Sequence, residues 1–408
     1  MKSEALTLGN GLRVIIYPRP QLESVGIAVG VNYGSIDDPG RIGGAAHYLE
    51  HMLFKGTKKR SVLEITNSGR SLGYINATTT YETTIYLMQG YSGYFGRMMD
   101  LLSDMIKNST LPERECRLEM GPVINENLMH QDNSRFFFYD NFGRVLYKRH
   151  PASRPVGGSR KSIERVTRAD LLKIYTESYA PANMVVAIYG NVSLKSAKLV
   201  AARCFGGFKK DLVSKRRLIA EERQVLCERT IRRESLKQAR IGVGFKCKPY
   251  ARSSARELAS MLVISKLLSY RLFDEIREKQ GLSYDPSASY YPFSTLSFIG
   301  AQAGVEPRDI GTVKRIMIGE MRKLERGETT DAEVKEAKAA LMIQYRVARE
   351  NTLDMANSIA SYALITGEWD FAWRLPGEIG KVSTGDIKRY CKRYIRSRDY
   401  SFLAIRPA

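Results

Sequence analysis

The chain has 408 residues, 43% of them hydrophobic and 26% charged, the composition of a globular protein long enough for two domains of roughly 200 residues each. These proportions exclude disorder, collagen and small disulfide scaffolds. Lys and Arg number 64 against 43 Asp and Glu, a net charge of +21, which taken alone points to an acidic partner such as nucleic acid, an anionic membrane or acidic peptides.

In chain order, Glu4 puts an acid where an export signal would be basic, and Arg13 interrupts the first apolar run, so no signal peptide is expected. Residues 11–17 and 24–31 read as strands, 43–54 as a helix, 83–88 as a strand and 91–107 as a helix. The second half repeats this order, with a strand at 239–245, an apolar helix at 258–268 and a strand at 296–301. The two halves agree best at their ends. Val166, Asp170 and Leu171 precede a strand at 184–189, and Val382, Asp386 and Ile387, 216 positions later, precede one at 400–405. The expected fold class is therefore α+β: two homologous α+β domains from an internal duplication, with mostly antiparallel sheets packed against helices. The first domain is placed at 1–208, a charged linker at 209–222 and the second domain at 223–408. No apolar run approaches membrane-spanning length, so no membrane partner is expected. Five scattered cysteines without a C-x-x-C pair predict neither a disulfide framework nor a thiolate zinc site, and a reducing, cytoplasmic setting fits them. The basic residues are spread along the chain with no nucleic-acid reading motif, so no nucleic-acid partner is expected.

The chemistry is concentrated at His47-Tyr48-Leu49-Glu50-His51. Two histidines four apart on a helix lie on one face, the geometry that brings two imidazole nitrogens to one tetrahedral Zn2+. Glu50 projects beside them, where a carboxylate can take a proton from an activated water. The chain has only four histidines, so a chance match to this spacing is rare. At an offset of 209 the repeat sets Arg256, Ala259 and Ser260 against His47, Glu50 and His51, so metal binding is expected in the first domain only.

The string from Gly43 to Thr57, G-G-A-A-H-Y-L-E-H-M-L-F-K-G-T, resembles the inverted zinc motif of the pitrilysin (inverzincin) metallopeptidases. Further similar segments are Gly73 to Thr78, Pro155 to Gly158, Ala180 to Met184 and Arg271 to Tyr284. The resemblance implies one Zn2+ per chain, with Glu126 as third ligand beside His47 and His51. It also implies Glu50 as general base and Glu119 as a supporting acid. Asn76 and Ala77 would lie on a substrate-binding edge strand, with Arg277 holding substrate carbonyls and Tyr284 stabilising the oxyanion. It implies half of a clamshell that works as a homodimer, or as a heterodimer with a homologous subunit, and hydrolyses short or unfolded peptides in a chamber. Alternatives within the same resemblance are a peptidase trimming targeting presequences, in a compartment like the mitochondrial matrix, and a noncatalytic assembly subunit. One departure is Gly121-Pro122, which is expected to kink or restart the helix carrying both glutamates. The charge favours neutral or acidic peptides unless acids such as Asp37 and Asp38 line the chamber.

Overall fold

The computed structural model describes residues 3–209, 216, 221, 223–234 and 236–408. The first sheet is built from β1 (Glu4–Thr7), β2 (Arg13–Pro18), β3 (Ser24–Val31), β4 (Tyr74–Thr79), β5 (Thr84–Tyr91) and β6 (Met184–Gly190). The second comprises β7 (Cys227–Arg232), β8 (Ala239–Cys247), β9 (Ser287–Pro292), β10 (Ser297–Val305) and β11 (Ser401–Arg406). The strand orders are β1, β2, β6, β3, β5, β4 and β7, β11, β8, β10, β9. With β1 set aside, the two orders are the same. In each, one parallel pair (β2 with β6, β7 with β11) is followed by three antiparallel pairings. The α+β fold with duplicated, mainly antiparallel sheets is thus as the sequence leads one to expect.

Two compact units result, and both are discontinuous in sequence. The first takes Met1–Leu128, Pro155–Arg217 and Val347–Trp373; the second takes Met129–Arg154, Leu218–Arg346 and Arg374–Ala408. Each unit therefore contains a helix from the other half of the chain, which the expected division at 208 and 223 does not anticipate. Most of the expected linker, 209–222, lies outside the described residues. Of its described members, Arg216 is half-buried in the first unit, donating to Asp37 at 2.7 and 2.9 Å. Glu221 belongs to the second unit, where it accepts the backbone N–H groups of Lys148, Arg149 and His150 and pairs with Lys246.

The first sheet is buried on both faces. Val14, Ile16, Val25, Ile27 and Val29 point into a core shared with the helices Ala45–Met52 and Phe95–Asn108. Their neighbours Ile15, Tyr17, Ala28, Val185 and Ala187 pack against Met355, Ala356, Ile359 and Ala360 of helix Thr352–Thr366. Strands with two buried faces lose the alternation of a half-exposed strand, which is why β2 and β6 are almost continuously apolar. In the second unit, helix Ser134–Leu146 lays Phe138 over Gly242 and Phe142 over Gly244 and Gly300. Among the described residues no helix is long and apolar enough to cross a membrane.

Candidate metal centre

The motif helix Ala45–Met52 is set by its N-terminus. Gly44 adopts φ +95° there, and a Cβ on it would stand 2.4 Å from the Gly157 carbonyl oxygen, so the close approach of two backbones requires glycine. The buried carboxylate of Asp38 accepts the N–H groups of Gly44 and Ala46, at 2.8 and 3.0 Å, capping the helix and complementing its dipole. Ala45, Ala46, Tyr48, Leu49 and Met52 are all within the core, so the helix is held on almost every side. Asp37 and Asp38 are thus engaged internally, one with Arg216 and one as a cap, and are not lining charges free to attract a basic peptide.

The second contributor is helix Glu113–Asp132. It runs unbroken through Gly121-Pro122, contrary to the interruption expected from the sequence. A proline costs one intrahelical N–H bond, and here the helix is anchored to the motif helix on both sides of it. Before it, the Tyr48 hydroxyl donates to the Cys116 carbonyl and Glu119 meets His51. After it, Glu126 meets both histidines, and the Asn127 amide donates to the Gly157 carbonyl at 2.7 Å. Glu119 and Glu126 are seven residues apart and therefore share a face.

The resulting cluster is compact. His47 Nε2 lies 3.4 Å from Glu126 Oε1, and His51 Nε2 lies 3.3 Å from Glu126 Oε2. One donor atom from each of His47, His51 and Glu126 falls within 4.8 Å of the others. A tetrahedral zinc with bonds of roughly 2.0–2.1 Å spaces its ligand atoms roughly 3.3 Å apart, so two imidazoles and one carboxylate at these separations fit that ion. Glu119 Oε1 stands 3.0 Å from the other nitrogen of His51, Nδ1, and Glu119 Oε2 is paired with Lys55 Nζ at 2.6 Å. His47 Nδ1, in contrast, is buried without a hydrogen-bond partner among the described residues.

Electrostatics differ among the three glutamates. Glu50 is buried, and burial raises its pKa against the opposing pull of His47, a Thr79 hydroxyl and His51. Hydrogen bonds from His47 and His51 hold Glu126 well below the ordinary carboxylate range. Burial works against ionisation of Glu119, but His51 and Lys55 outweigh it and lower its pKa. Burial likewise lowers the basicity of His51, and the two carboxylates that flank the ring more than offset it, pushing its pKa up to about 9.

Asn76 and Ala77 lie on β4, at the edge of the sheet, where among the described residues β4 pairs only with β5. The Asn76 side chain is turned onto its own strand, donating to the Tyr74 hydroxyl at 2.8 Å and accepting from Ala77 N–H at 2.9 Å, rather than standing clear for a ligand. Arg277 and Tyr284 belong to the second unit. Helix Ala255–Leu272 continues there into a π-helical turn, Phe273–Glu278, a local widening often found at functional positions. The turn brings the Arg277 guanidinium 4.5 Å from the centre of the Tyr284 ring and 4.9 Å from that of Phe273. Arg277 Nη1 also donates to the Tyr284 carbonyl at 3.2 Å. Tyr284 is 82% exposed. Sequence reasoning missed three residues: Asp38 as cap, Lys55 as partner of Glu119, and Thr79 as partner of Glu50. Lys55 had a signal in its position four residues beyond His51, although the helix itself ends at Met52.

Two family descriptions match the chain. "Insulinase (Peptidase family M16)" covers residues 13–159, which include every member of the cluster, and "Peptidase M16 inactive domain" covers 165–341. An uncharacterized zinc protease of Streptomyces coelicolor is 27% identical over 399 residues, spanning 96% of this chain and 87% of that protein. One of Rickettsia felis is 30% identical over 285 residues, 68% of this chain and 67% of its own. In fold, the chain is similar to a protease from Helicobacter pylori, with TM-score 0.91, 21% identity, and coverage of 100% and 99%. It is also similar to the periplasmic protease PqqL from Escherichia coli, with TM-score 0.80 and 18% identity, matching 99% of this chain but 47% of that one.

Proposed function

The chain belongs to the insulinase family of peptidases, family M16, and from that membership we propose that it is a zinc-dependent endopeptidase acting on short or unfolded peptides. The observation that carries this reading is the pair of imidazole Nε2 atoms 3.3 and 3.4 Å from the oxygens of Glu126, with the buried carboxylate of Glu50 beside them. His47, His51 and Glu126 would hold one ion per chain, and Glu119 would fix the ring orientation of His51. Zinc bound there supplies a Lewis acid that acidifies water and polarises a peptide carbonyl. Glu50 accepts the proton of the attacking water and returns it to the leaving amine. The free edge of β4 takes an extended peptide through main-chain hydrogen bonds around Asn76 and Ala77. Arg277 is assigned to substrate carbonyls and Tyr284 to the oxyanion. The match to 47% of PqqL supports a working unit of two copies of this chain, or of this chain with a homologous one.

Stripping the purified protein with a chelator is expected to abolish cleavage of an unstructured peptide, and about one equivalent of zinc per chain to restore it. Full activity in the stripped protein would refute the reading. At low salt a glutamate-rich peptide is expected to show a higher kcat/KM than its lysine-rich counterpart, because the chain carries +21; the reverse order would overturn that preference. Lys55 neutralises Glu119 and so supports His51 indirectly. Lys55→Met is expected to weaken zinc affinity by about 10- to 100-fold in competition with a chromogenic chelator, and an unchanged affinity would disconnect it from the site.

A further inference from the structure

A glutamate carboxylate has a broad, weakly restricted terminal torsion, so a general base needs something outside its own side chain to set the plane of its two oxygens. In this chain the Thr79 hydroxyl donates to Glu50 Oε2, while Oε1 makes no hydrogen bond among the described residues. Thr79 is the last residue of β4 and pairs directly across the hairpin with Thr84, the first residue of β5. The two hydroxyl oxygens are 3.3 Å apart. Thr84 is fully buried, and its single proton is committed to the Tyr33 carbonyl at 3.0 Å. Thr84 therefore offers no proton to Thr79, and the Thr79 proton is the one left to meet the carboxylate.

Resting on the assignment of Glu50 as base, we propose that Thr79 is a positioning residue for the reaction. It anchors one oxygen of Glu50 and leaves the other for the water proton. The anchor sits on the same edge strand as Asn76 and Ala77, so the strand that receives the peptide also orients the base. A misplacement of the base by a fraction of its reach is costly, because proton transfer needs hydrogen-bond geometry.

The test is a set of variants at Thr79 in the wild-type and Glu50→Gln backgrounds, read by kcat, KM, zinc content, zinc affinity against a chelator, and thermal midpoint. Thr79→Val keeps the shape and the β-branch of the side chain and removes the hydroxyl. It is expected to lower kcat by about 10- to 100-fold with KM within about twofold and with zinc content and affinity unchanged. Thr79→Ser, which restores the hydroxyl, is expected to recover kcat to within about threefold of wild type. In the Glu50→Gln background Thr79→Val is expected to cost nothing further, because residues that act through one another are not additive. Should the valine variant fail to fold, Thr79→Ala carries the same expectation. Wild-type kcat in the valine variant, failure of serine to rescue, a loss confined to zinc affinity, or full additivity with Glu50→Gln would each overturn the proposal. Substantial activity in Glu50→Gln itself would instead overturn the assignment of the base.

Discussion

Replacing Glu50 with Gln is expected to lower kcat by about 100- to 10,000-fold while the purified chain still carries about one zinc. The amide is nearly isosteric, and its oxygen can still accept the Thr79 hydroxyl proton that the carboxylate accepts now, but it cannot take a proton from water. The group that could hold a metal, His47, His51 and Glu126, does not include Glu50, so zinc content separates a lost base from a lost site. Stability gives a second check. Burial raises the pKa of Glu50, so the folded state binds its proton more tightly than the unfolded chain does. Its ionised form weakens the fold as pH rises above the unfolded value. The uncharged Gln removes that cost, and the thermal midpoint at neutral pH is not expected to fall. Retention of more than about a tenth of wild-type kcat would remove Glu50 from the mechanism.

A second large effect is expected far from the centre, at Gly26→Ala. A Cβ at Gly26 would lie 2.0 Å from the carbonyl oxygen of Thr352 and 2.4 Å from its carbonyl carbon, so backbone rather than a flexible side chain would have to move. Thr352 begins the helix that the second half of the sequence contributes to the first unit. It is fully buried and held by Gln89 at 2.7 Å and Ser24 at 3.1 Å. Overpacking against a fixed backbone costs about 1–3 kcal/mol or more, and here the cost falls on the docking of the whole segment. Both tryptophans of the chain report on it. The rings of Trp369 and Trp373 pack at tilted angles near Tyr17, and the guanidinium groups of Arg19 and Arg349 stand 4.4 and 3.8 Å from the centre of the Trp373 ring. Gly26→Ala is expected to lower the thermal midpoint by several degrees and to red-shift tryptophan emission below the global transition. An unshifted spectrum with an unchanged midpoint would show that the sheet accommodates the methyl group without undocking the helix.

Several elements were legible because their signals are local. The apolar runs of β2, β3 and β6 and the His47, Glu50, His51 spacing are one-dimensional patterns, and the repeat at an offset of 216 matches two sheets of the same strand order. Gly121-Pro122 misled for an equally physical reason. Intrinsic propensity charges proline for a lost bond and a clash, whereas here the contacts of Glu119 and Glu126 with one histidine ring hold the helix on both sides of it. The Asn76 side chain reads as a free polar group in sequence and turns out to be bonded to Tyr74 and Ala77 on its own strand.

By itself, then, the sequence determined which residue types could meet a metal, that the chain is built twice, and which strands are buried, because spacing and hydrophobic period are written along the chain. Only the tertiary structure decided that Asp38 caps the motif helix, that Lys55 stands behind Glu119 and that Thr79 donates a hydrogen bond to Glu50. It also decided that each sheet is covered by a helix from the other half. These depend on pairs brought together across 29 residues in the case of Thr79 and Glu50 and across 328 in the case of Ser24 and Thr352. Contacts at such separations are selected by the packing of the whole fold, and no local propensity records them.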